Sequence, residues 1–123
     1  MMILKMTFRA AAWLTVIAIM FVTLGSPDYR PTTAMAHDLE HALAFATVGM
    51  MFALAYPDHR LGVVLAAIPA IGVLEAMQLW VPGRHARLED FVVNLATFWT
   101  AFAAVSLALA LIESRRVKAA ASS

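Results

Sequence analysis

The chain has no cysteine, so disulfides, thiolate metal sites and cysteine nucleophiles are all excluded. Redox chemistry therefore gives no clue to its compartment. Charge is scarce too: 14% of the 123 residues are charged, and the formal net charge is +1. That balance, with no basic stripe interleaved with aromatics, removes nucleic acid from the set of expected partners. No internal repeat is present. The one short biased stretch, Ala119 to Ser123, reads as a frayed end.

Apolar side chains fill the space. They make up 63% of the chain, and the mean hydropathy is +0.80, far beyond what a soluble domain of this length can bury. The charges cluster between long apolar runs instead of alternating along helix faces, which is the pattern of a protein embedded in a lipid bilayer. Four runs stand out, at about 6–24, 39–56, 61–80 and 91–112. Each is about 18 to 22 residues, roughly what a helix needs to cross about 30 Å of hydrocarbon. The expected fold is a single all-α membrane domain over 1–123 with four transmembrane helices.

Arg9 lies close enough to the end of the first run to snorkel to the headgroups. The stretch from Ser26 to Thr33, with Pro27, Asp28, Arg30 and Pro31, reads as a loop, as does Pro57-Asp58-His59-Arg60. Basic residues set the direction. With both ends inside, the inner side holds Lys5, Arg9, Arg60, Arg115, Arg116 and Lys118, and the outer side Arg30, Arg84 and Arg87. This favours N-in, C-in. A competing reading takes Lys5, Arg9, the apolar run to Leu24 and Ala34-Met35-Ala36 as a cleavable signal peptide, which leaves three spans. The polar stretch before Ala36 is long for a cleavage region.

An even number of spans brings the start of the second run, the end of the third and the start of the fourth to one membrane face. Asp38, Glu40, His41, Glu75, Gln78, Arg84, Asp90 and Asn94 should meet there. Polar groups in apolar segments are costly and tend to face a partner or a site. Glu75 and Gln78 share a helix face, as do Asp90 and Asn94. Glu75 is a candidate acid, base or proton carrier with Gln78 orienting its partner; the plainer reading is interhelical hydrogen bonding. Asp90 suits a helix N-terminus, where the macrodipole favours a carboxylate, as well as it suits a site. Asn94 lies deeper and is expected to support its neighbours.

Arg84 follows the sharp Pro82-Gly83 turn. Its guanidinium suits a phosphate, sulfate or carboxylate, and equally suits an internal pair with Glu75 or Asp90. His85, Arg87 and Glu89 read as ordinary loop polars. His37 to His41 matches the pattern H-x-x-E-H, for which Glu75 or Asp90 would supply a third zinc ligand. Five residues in a chain with four histidines carry little weight, so neither metal nor cofactor is expected. The plain role of His41 is a hydrogen-bonding group at a helix mouth. The methionines read as core filling, and Trp80 as an indole at the membrane interface.

The approach to His41-Ala42-Leu43-Ala44-Phe45, then Glu75-x-x-Gln78, Val81-Pro82-Gly83-Arg84 and Asp90-x-x-x-Asn94, resembles the VanZ-like family of small bacterial membrane proteins. The likeness covers about residues 38–102. It implies a multi-pass protein of the bacterial cytoplasmic membrane and a link to glycopeptide resistance, but no reaction. It departs at His37-Asp38, where family members often carry Asp-Lys, and at Thr97 and Ala101, where glycines are common. Three functions are then open. The first is an outward-facing polar site for a lipid-linked or other anionic envelope component, in which Arg84 meets the anion, Glu75 and His41 handle a proton, and Asp90 and Asn94 orient them. The others are a proton-relay or transport subunit, and a structural partner in a larger membrane complex.

Overall fold

The computed structural model describes residues 2–25, 37–83 and 86–122. The described chain is all-α: α1 (Met2–Leu24), α2 (His37–Ala55), α3 (Arg60–Met77) and α4 (Leu88–Ala121), with a 3-10 turn at Gln78–Trp80 closing α3. Three stretches are long and apolar enough to cross a membrane: Ile3–Leu24, Arg60–Trp80 and Leu88–Ala121. The apolar part of α2, Leu39–Ala55, is shorter. Four apolar helices therefore form as expected, and three of them have clear spanning length. The signal-peptide motif at Ala34 to Ala36 lies outside the described residues.

Side-chain pairings fix the directions. Early α1 meets late α2, with Trp13 Nε1 donating to the Tyr56 hydroxyl at 3.0 Å and Arg9 Nε donating to the Ala55 carbonyl at 3.4 Å. These two helices run antiparallel. Late α3 meets early α4, and Trp99 Nε1 on α4 reaches back to the Val64 carbonyl at 3.2 Å, so this pair is antiparallel as well. By contrast, His41 sits beside Asn94 and Gly49 beside Phe98 and Phe102, so α2 and α4 run parallel. The bundle alternates up and down, with α2 and α4 in the middle, α1 on α2 and α3 on α4.

The core is one stripe per helix. On α4 the buried residues fall every fourth position, Asp90, Asn94, Phe98, Phe102 and Ser106, as a helix face facing its neighbours requires. On α3 they are Ala67, Ile71 and Glu75, and on α2 Phe45, Val48 and Ala53 complete the cluster. Phe98 stacks on Phe102 at 6.1 Å and tilts against Phe52 at 6.3 Å. Large apolar residues on the opposite faces, such as Leu14, Ile17, Leu65 and Leu107, are exposed, as lipid-facing positions are.

Some local features differ from the expected outline. α4 continues through Ala121 where a frayed tail was expected, because Glu, Arg, Lys and Ala are strong helix formers and Lys118 suits the negative helix end. Pro69 sits within α3 without ending it, as transmembrane helices tolerate. In the α2–α3 turn, Lys5 Nζ lies 3.0 Å from Asp58 Oδ2. That hydrogen bond and the lysine charge hold the Asp58 carboxyl below its ordinary value of 3.8. The pair is exposed, so solvent screens it and it contributes little to stability.

Gly49 permits the closest helix approach. A Cβ there would meet the Phe98 carbonyl oxygen, with the Phe98 carbonyl carbon at 3.1 Å and the Phe102 nitrogen at 3.2 Å. These are backbone atoms and cannot swing away. Gly49→Ala would gain about 1 kcal/mol of helix propensity but lose about 1–3 kcal/mol to overpacking. The second effect should win. At Gly62 an added Cβ has no neighbour within 4 Å, so Gly62→Ala should keep the propensity gain. Reversible unfolding in detergent micelles should place Gly49→Ala below the parent and Gly62→Ala at or above it; the opposite order would show that the α2–α4 approach is not tight.

Candidate functional site

At one end of the bundle the core stripes change from apolar to polar, staying buried on α3 and α4 and half-buried at His41 on α2. Glu75 follows Ala67 and Ile71 on α3, Asn94 and Asp90 precede Phe98 on α4, and His41 precedes Phe45 on α2. The three segments that topology was expected to unite do meet. Asn94 Nδ2 donates to Glu75 Oε1 at 2.6 Å, and Gln78 Nε2 donates to Glu75 Oε2 at 2.9 Å. Asn94 Nδ2 also lies 3.5 Å from His41 Nδ1.

The local fold explains each placement. The 3-10 turn at Gln78–Trp80 tightens the end of α3, and its Val81 N–H bonds the Gln78 carbonyl. That tightening keeps Gln78 buried beside Glu75 while Trp80 points outward, 79% exposed, as an interfacial indole does. Pro82 and Gly83 then turn the chain, and the turn needs glycine because φ is +78° at Gly83. α4 opens with Glu89 and Asp90 in its first turn, where carboxylates favour the helix dipole. Asp90 serves both readings, for it lies at the helix start and also turns inward, 9% exposed.

Asn94 stands at the centre of the polar contacts. It is fully buried at 0% exposure, bonds the carboxyl of Glu75, and stands next to the imidazole of His41. Its Oδ1 has no hydrogen-bond partner among the described residues. A buried acceptor left unpaired costs about 1–3 kcal/mol. Asp90, one turn earlier on the same face, lies near enough to Glu75 for the two carboxyls to interact electrostatically.

Arg84 and His85 lie outside the described residues, as do the side chains of His37 and Asp38. Among the described residues no three His, Asp or Glu side chains gather in a way that could hold a metal ion. Arg87 and Glu89 form an exposed ion pair at 3.4 Å; Arg87 stands at the N-cap of α4, and Glu89, expected in the loop, lies in the helix's first turn. The spacing of polar residues put Asn94 deeper than Asp90 on a shared face, but did not show that this face turns wholly inward. The fourfold spacing from Asp90 to Ser106 carries that signal.

No family model, no curated protein and no solved structure matches this chain.

Because Asn94 supplies one of the two donors to a buried carboxyl, Asn94→Ala should destabilise the bundle by about 2–3 kcal/mol. Glu75→Ala removes the other partner. In a double-mutant cycle of the two, the coupling should be at least about 1 kcal/mol, and additive losses would mean that the 2.6 Å contact contributes nothing.

Proposed function

We propose that the chain is a multi-pass protein of the bacterial cytoplasmic membrane, similar to the VanZ-like proteins, whose polar cluster takes up an anionic or lipid-linked component of the cell envelope. It crosses four times, with both ends inside. The 19 residues of α2 rise about 28 Å, close to the ~30 Å of a hydrocarbon core. On that topology the cluster opens on the outer face.

The observation that supports this reading is Asn94 Oδ1, buried beside a carboxyl and an imidazole and without a hydrogen-bond donor among the described residues. A buried acceptor that no described residue answers, at the meeting point of two ionisable groups, suits a donor from a ligand. A hydroxyl or amide of the ligand would fill it. Arg84, one residue past the Gly83 turn, would meet the anionic group; Glu75 and His41 would handle a proton, and Gln78, Asp90 and Asn94 would hold them in place.

A second reading has an observation of its own. Both Glu75 oxygens already accept a hydrogen bond from an amide of the same bundle, so the cluster also serves as a clasp between α3 and α4. The two separate by experiment. On the binding reading, Glu75→Gln and Arg84→Ala leave the amount of membrane-inserted protein unchanged and abolish glycopeptide tolerance in a bacterial host; loss of the protein itself favours the clasp. The lack of native cysteine makes the topology directly measurable. Single cysteines at Arg30 and His85 should react with an impermeant maleimide from outside the cell, and reaction only after lysis would reverse the orientation.

A further inference from the structure

A second recess lies apart from the polar cluster. α1 rests on α2 and α3 on α4, which leaves a cavity of about 670 Å³ between α1 and α3, floored by Phe45, Val48, Phe52 and Phe98. Its size falls within the ~300–1,000 Å³ typical of small-molecule sites. One wall is Trp13, Val16 and Ile19 on α1; the other is α3 from Gly62 to Met77, lined by small side chains such as Ala66 and Ala70. At ~1.5 Å per residue that wall is roughly 22 Å long, more than the ~15 Å that one leaflet contributes to the hydrocarbon core. A whole acyl chain fits along it.

The ends of the cavity differ. At Met20 and Met77 it is apolar, whereas at the other end it is lined by Arg9, Tyr56 and His59. Lys5, close by, is neutralised by Asp58. Arg9 is not: among the described residues it has no carboxylate partner, and its contacts are the Ala55 carbonyl at 3.4 Å and the Tyr56 ring, 5.0 Å from guanidinium to centroid. The planar cation is thus held in place with most of its donors uncommitted. The Tyr56 hydroxyl accepts from Trp13 and keeps its own proton to donate. α4 ends on the same side of the bundle, bringing Arg115, Arg116 and Lys118 to the surface there.

We infer that this groove binds an anionic phospholipid, with one acyl chain between α1 and α3 and the phosphate at Arg9 and Tyr56. An apolar slot of acyl length, ending at a guanidinium with no carboxylate partner among the described residues, matches that chemistry in both parts. A neutral lipid would fill the slot and leave the charge unanswered.

The test is native mass spectrometry of the full chain released from detergent, titrated with phosphatidylglycerol and phosphatidylcholine carrying identical chains. One cation near a headgroup corresponds to a preference of about fivefold for the anionic lipid. Arg9→Gln should bring that preference to about onefold while neutral-lipid binding stays. Ala66→Phe, which fills the slot from an exposed position, should weaken both lipids, and Ala70→Leu repeats the test should the first variant fail to insert. Equal affinity for the two lipids in the parent chain, or a preference that survives Arg9→Gln, would overturn the inference. So would lipid-free dimers that Ala66→Phe dissociates, since a second copy would then occupy the groove.

Discussion

A carboxyl group inside an apolar bundle must be met by donors, and the rest of this structure is arranged around that demand. Glu75 is buried near the end of α3, where bulk water no longer solvates it. Gln78 answers from the same helix and Asn94 from the next in contact, so a local bond and a long-range bond close on one group. The local bond asks for the 3-10 turn. The long-range bond sets how α3 lies along α4, because a shift of one turn would separate the partners by about 5.4 Å. In an apolar environment helix contacts have little directional preference of their own, and interhelical hydrogen bonds supply it.

The parallel pair α2 and α4 does a different task. Its closeness at Gly49 comes from the absence of a side chain, and the aromatic rings of Phe52, Phe98 and Phe102 fill the space on either side. With that pair in the centre, the outer helices attach to different partners, and the gap between them follows from the arrangement. The polar cluster and the open groove are thus two products of one packing order. One arises where stripes converge, the other where a cavity lies between two helices.

Much of this was legible in the sequence, for reasons that differ by residue. The helices announced themselves through unbroken apolar runs bounded by Pro57 and by Pro82-Gly83, since few other structures suit such runs. The meeting of His41, Glu75 and Asn94 followed from alternation of direction, which needs only a count of helices. Three features were hidden. Asn94 as the centre of the cluster depends on which face of α4 turns inward, and only the fourfold spacing through Phe98, Phe102 and Ser106 reveals it. The contact at Gly49 requires knowing that α2 meets α4, which no local pattern encodes. The charged end of α4 was underestimated because a boundary drawn by hydropathy marks where lipid contact ends, whereas the helix ends only where its backbone loses its propensity.

That last distinction has a mechanical consequence. At ~1.5 Å per residue the 34 residues of α4 measure roughly 50 Å, against ~30 Å of hydrocarbon. The surplus is a stiff post of several turns, rooted in the bundle by Phe98 and Phe102 and carrying Arg115, Arg116 and Lys118 at a set height. A flexible tail would let those cations lie flat on the membrane. A continuous helix holds them at a fixed distance from Phe98 and Phe102.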